Sequence, residues 1–171
     1  MKKYLITTCL LLSIYLPSFS QNPVDVALRL KRDTLKRVMP SLKGSAKVDC
    51  QNAIVDIYQI LDEDDQMQVD SASPYATLAF NGAKKIGYKR GMGYACLKMA
   101  YIGILEGIVN NDDIIKAPGF IDKIENQINQ AKQIGGELND DAMTGSSYYL
   151  LSMLQNLMKM KEQRKNNHGN L

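Results

Sequence analysis

The chain has 171 residues, 45% of them hydrophobic and 23% charged, with 21 lysines and arginines against 18 aspartates and glutamates. That near-balance excludes the basic surplus with which proteins grip nucleic acid, and a lone histidine, His168, excludes a histidine-based triad or a multi-histidine metal site. Nine methionines, no tryptophan and no long alternation of β-branched residues favour helices over sheet.

Met1-Lys2-Lys3, the apolar stretch Tyr4 to Leu16, then Pro17 and the small residues Ser18 and Ser20 follow the order of a secretory signal peptide. Cleavage is predicted between Ser20 and Gln21. The apolar run is short for a permanent anchor, and Cys9 comes too early in it for a lipoprotein site. Processing leaves 151 residues, enough for one domain with its own core, with 19 basic and 18 acidic side chains. The expected compartment is periplasmic or secreted.

Asp25 to Met39 sets Val26, Leu28, Leu30, Leu35 and Val38 among five basic residues, which predicts a short amphipathic helix stopped by Pro40. A second helix is expected over Ala46 to Leu61, its apolar side supplied by Val48, Ile54, Val55, Ile57, Tyr58 and Leu61. The acidic run Asp62 to Asp65 lacks the glycine and terminal glutamate of a calcium loop and reads as a solvated turn. Ser73-Pro74 carries a capping hydroxyl and a proline suited to a first turn, predicting the start of a third helix that reaches Ile86.

From Met92 to Val109 nearly every residue is apolar or small, but Lys98 and Glu106 argue for a helix buried between neighbours and against a membrane span. Pro118-Gly119 then precedes a more polar helix, Phe120 to Ile134, with Ile121, Ile124, Ile128, Ala131 and Ile134 at helical spacing. Asp140 and Asp141 can cap a last helix, and the polar stretch after it is expected to fray. Two cysteines survive processing, Cys50 and Cys96. An oxidising compartment permits a disulfide between them, while their apolar helical settings favour two separate core thiols.

Ala83-Lys84-Lys85-Ile86-Gly87-Tyr88 returns 48 residues later as Ala131-Lys132-Gln133-Ile134-Gly135-Gly136, each time at the close of a helix. An internal repeat of this kind predicts helix pairs that bury their apolar faces only by stacking. Ser41 to Asp49 and Ala83 to Gly91 resemble the tetratricopeptide repeats in the extracytoplasmic part of bacterial sensor histidine kinases and related regulators. Ala76, Phe80 and Ala83 would pack the first repeat, and Ala100 would be the small residue of the second. Val55, where a smaller residue is usual, and Gly103, where an aromatic is usual, depart from the pattern.

The resemblance implies an all-α fold of antiparallel helix pairs stacked as a short solenoid, with about six helices after processing. The expected organisation is a signal peptide over 1–20, a capping helix over 21–40, the repeat domain over 41–160 and a disordered polar tail over 161–171. It also implies that the first helix of each repeat lines a concave wall for a protein or peptide partner, here Asn52, Asp56, Gln59, Tyr94, Leu97 and Tyr101. No HExxH, GxSxG, CxxC or phosphate-loop pattern is present, so neither catalysis nor a cofactor or metal is expected. Lys84, Lys85, Lys89 and Arg90 read as a solvated helix end. Nothing calls for nucleic acid or for stable membrane insertion. The competing reading is a small periplasmic helical inhibitor or immunity protein against an enzyme or toxin.

Overall fold

The computed structural model describes residues 22–61, 65–109 and 117–168. The expected signal peptide, the acidic residues Asp62 to Asp64 and the segment after Val109 lie outside them. Among the described residues every regular element is helical: α1 (Pro23–Val38), a 3₁₀ turn (Met39–Ser41), α2 (Gly44–Ile60), α3 (Asp65–Ile86), α4 (Lys89–Val109), α5 (Phe120–Leu138) and α6 (Asp141–His168).

The ends of α1 follow local chemistry. The Asn22 side chain accepts the Val24 amide at 3.1 Å and Pro23 occupies the first turn, where its missing N–H costs nothing. Asp25 in the first turn and Lys36 and Arg37 in the last oppose the helix dipole. The helix gives way to the 3₁₀ turn that holds Pro40.

Three expectations are corrected. The third helix begins at Asp65, and Pro74 lies within it, because Val69 and Ala72 ahead of the proline are core residues at 7% and 1% exposure. Helix α5 runs past Ile134 to Leu138, so Gly135 and Gly136 continue it rather than end it. The last helix extends through residue 168, into the stretch expected to be a disordered tail.

Helix α1 is amphipathic as expected, but its packing face is narrower than the sequence suggests. Leu28 and Leu35 are half-buried, whereas Val26, Leu30 and Val38 face solvent. Leu35 packs on the core, and two cations dock the helix beside it. The Arg32 guanidinium lies 4.9 Å from the centroid of the Tyr58 ring, and Lys36 Nζ lies 5.0 Å from the same centroid and donates to the Tyr58 hydroxyl at 2.6 Å. Long basic side chains can do this because their stems cover apolar surface while their charged heads meet the negative ring face.

Helix α4 is the hub. It packs against α2, α3, α5 and α6, and none of its residues from Gly91 to Gly107 is exposed. Each helix from α2 onward packs on the next, and the alternate helices α2, α4 and α6 also touch through α4. One core cluster joins Cys96, Ala100 and Ile104 of α4 to Ile124, Ile128 and Ala131 of α5 and Met143, Leu150, Leu154 and Leu157 of α6. A second joins Cys50, Ile54, Val55 and Tyr58 of α2 to Val69, Ala72 and Ala76 of α3 and Ile102 and Leu105 of α4. By length and composition α4 is the one helix among the described residues that could cross a membrane. Burial by four neighbours gives its apolar character a second physical cause.

Close approach depends on small residues. A Cβ on Gly91 would lie 2.7 Å from Val48 Cγ1, and one on Gly103 would lie 2.9 Å from Ile124 Cγ1. Gly136 and Gly145, in contrast, have open space where a Cβ would go. Gly91→Ala is therefore expected to lower stability by about 1–3 kcal/mol through overpacking, whereas Gly136→Ala raises it by roughly 0.5–1 kcal/mol through helix propensity. Urea unfolding followed by circular dichroism separates the two, and equal effects would remove close packing as the cause. Ending the chain at Asp140 removes Met143, Leu150, Leu154 and Leu157, which α4 and α5 bury. The truncated chain is expected to lose its cooperative transition, and unchanged melting would contradict the dependence of α4 and α5 on α6.

Candidate functional site

A cleft of about 350 Å³ opens between α2, α4 and α6. Asp56 and Gln59 come from α2, Tyr94, Leu97, Lys98 and Tyr101 from α4, and Ser146, Tyr149 and Leu150 from α6. Their spacing explains their convergence. Residues three and four apart share a helix face, which aligns Tyr94, Leu97, Lys98 and Tyr101 on α4, as well as Ser146, Tyr149 and Leu150 on α6. Leu97 and Leu150 are buried, at 6% and 5%, while Tyr149 is 64% exposed and stands at the open side.

Five of the six residues expected on a binding wall, Asp56, Gln59, Tyr94, Leu97 and Tyr101, thus line one cleft. Asn52 does not. It is buried at 6% and its Nδ2 donates to the Gly91 carbonyl at 3.2 Å, tying α2 to α4. The one-turn step from Asp56 back to Asn52 carries the side chain from the cleft into the helix–helix contact.

Sequence reasoning missed the contribution of α6 and the role of Lys98. Lys98 is 7% exposed, and its Nζ donates to Asp56 Oδ1 at 2.6 Å. The pairing is physically required, because an isolated buried ammonium is costly. The Asp56 side chain itself remains 51% exposed, so the pair reaches from the interior to the cleft. The polar triplet Ser146-Ser147-Tyr148 masked the α6 face, since Ser147 is buried and donates to the Met143 carbonyl at 2.9 Å while Ser146 lines the cleft.

Tyr94 connects the cleft to the helix turns at one end of the molecule. Its hydroxyl donates to the Asp140 carboxylate, 3.3 and 3.2 Å from the two oxygens. Asp140 Oδ1 also accepts the Met143 amide at 3.1 Å, capping α6, and Oδ2 accepts from Arg90 Nε at 3.2 Å. Lys89 and Glu137 add a second bridge at 2.7 Å between the same two turns. The basic residues Lys89 and Arg90 are therefore engaged by carboxylates.

Cys50 and Cys96 are separate buried thiols, and the disulfide that the compartment would permit is not formed. Cys50 faces α1, with Sγ 3.6 Å from the Leu35 carbonyl, and Cys96 faces α5, with Sγ 3.3 Å from Gln130 Oε1. Burial pushes the Cys96 thiol up to about 12 and raises that of Cys50 as well, so neither has the thiolate character of a reactive cysteine.

The Met143 amide, with Tyr94 and Arg90 assisting, holds the Asp140 carboxyl below its ordinary value of 3.8. A group with a depressed folded pKa stabilises the fold fully above its unfolded pKa and loses that contribution as pH falls through the folded value. Asp140→Asn is therefore expected to be less stable than the parent at neutral pH, with the gap closing below about pH 4. Thermal melts from pH 7 to pH 2.5 test this, and a constant gap would remove Asp140 ionisation as its source. Comparison with family models, with curated proteins and with solved structures finds no match for this chain.

Proposed function

We propose that this protein is an exported, non-catalytic scaffold of tetratricopeptide type, without stable membrane insertion, that holds an extended segment of a partner protein in the cleft between α2, α4 and α6. The observation that carries the reading is the convergence of three alternate helices on one open cleft lined by Tyr94, Tyr101 and Tyr149. Such a lining suits recognition, because a rigid aromatic ring buries a large area at small entropic cost. The helix order supports the same reading. In a stack of helix pairs the first helices touch one another along one wall, as α2, α4 and α6 do through α4, and the second helices pack behind them.

A photo-reactive phenylalanine analogue placed at position 149 tests the proposal, with position 148 as the control. Tyr148 is also exposed, at 56%, but does not line the cleft. Incubated with envelope extract of the source cell, the chain is expected to cross-link a partner from position 149 and not from 148. Tyr149→Ala should weaken capture of that partner at least about tenfold. Equal cross-linking from both positions, or none from 149, would overturn the assignment of the cleft.

A further inference from the structure

Resting on the proposal that the cleft holds a protein segment, we infer that the Asp56–Lys98 pair is its specificity device and that it selects an uncharged, amide-bearing residue such as asparagine or glutamine. Lys98 lies nine-tenths buried and lines the cleft, yet among the described residues only one of its three N–H groups has a bonded acceptor, Asp56 Oδ1 at 2.6 Å. The Tyr94 ring, 5.7 Å from Nζ, shields the ammonium on another side without accepting a conventional hydrogen bond. The second Asp56 oxygen sits on the half-exposed end of the pair. The cleft thus offers an unused donor and an unused acceptor next to each other, on two groups whose charges cancel.

A carboxamide has the complementary arrangement, an acceptor oxygen and a donor nitrogen on one carbon. Its oxygen takes an N–H of Lys98 and its NH₂ donates to Asp56, so both polar groups are satisfied and no net charge enters the cleft. An acidic side chain at the same place meets the Asp56 carboxylate, and a basic one meets the Lys98 ammonium. Either juxtaposition is repulsive, and selection against wrong charges works through such repulsion. Leu97 and Leu150, buried beside the pair, favour an apolar residue next to the amide.

The charges of the pair can be removed one at a time. Asp56→Asn leaves Lys98 as an unopposed cation and should turn the cleft toward acidic ligands, while Lys98→Met leaves Asp56 unopposed and should turn it toward basic ones. The test selects one random peptide library, displayed on phage, against the parent chain and both variants, and sequences the retained pools. Circular dichroism melting confirms that each variant is folded. Asp56→Asn keeps a side-chain oxygen that can accept from Lys98 Nζ, and Lys98→Met leaves only a half-exposed, hydrated carboxylate, so either variant keeps the test decisive if the other does not fold.

The parent pool is expected to be rich in asparagine or glutamine and poor in charged residues at one anchor position. The Asp56→Asn pool should show at least about a tenfold rise of aspartate and glutamate there. Peptides retained with the same charge composition by parent and Asp56→Asn would overturn the specificity role while leaving the cleft a peptide site. Retention that survives Tyr149→Ala unchanged, or no retention by any form, would overturn the cleft as a peptide site and this inference with it.

Discussion

A helix with no fully exposed residue along most of its length is the constraint on which this molecule turns. Between Gly91 and Gly107 no residue of α4 is more than partly exposed, and four helices share its circumference. A cylinder so crowded can carry few large side chains. Gly91, Gly93, Ala95, Ala100 and Gly103 are the places where neighbours come close, and the larger Leu97, Ile102, Ile104 and Leu105 fill the spaces between them. The one internal cation that the helix carries must then find a partner at the edge of the packing. That requirement places Lys98 against Asp56 and gives the cleft its polar centre.

The same crowding governs how the chain turns. Helix α3 ends with Gly87 in the left-handed region at φ 68°, where the Tyr88 amide reaches back to the Ala83 carbonyl at 2.9 Å. Helix α5 ends the same way with Asn139 at φ 51°, the Asp140 amide reaching the Gly135 carbonyl at 2.8 Å. Asparagine tolerates that conformation better than other residues that carry a Cβ. The structural counterpart of Gly87 is thus Asn139, one helical turn beyond the Gly135 that matches it in sequence. Both endings leave the next helix antiparallel and bring the two turns together, where Lys89, Arg90, Glu137 and Asp140 bridge them.

That displaced match shows why the all-helical class was readable in the sequence while some boundaries were not. Apolar periodicity fixes a face, and a slip of one turn leaves the face almost unchanged, so α5 could be recognised from Ile124, Ile128 and Ala131 although its end was placed too early. Pro74 misled in a similar way. It is a good first-turn residue in isolation, but Val69 and Ala72 carry core packing that extends the helix ahead of it. In the cleft, the tyrosines and amides of α2 and α4 were accessible to pattern reasoning, because each helix presents them at regular spacing. The Asp56–Lys98 pair and the face of α6 were not, since which residues meet across helices 42 positions apart is set by packing. Asn52 marks the boundary between the two situations, sharing the helix of Asp56 and Gln59 while its amide is committed to the Gly91 carbonyl.

The unpaired thiols have a consequence of a different kind. Cys50 belongs to the cluster built from α2, α3 and the edge of α4, and Cys96 to the one built from α4, α5 and α6. Both are covered and held in the protonated form, so Cys96 becomes chemically visible when its cluster opens, and Cys50 when α1 lifts away or its own cluster opens. The described residues therefore carry two internal clocks, one in each of the two larger core clusters. The lag between them would measure whether those clusters part company or open in a single concerted step.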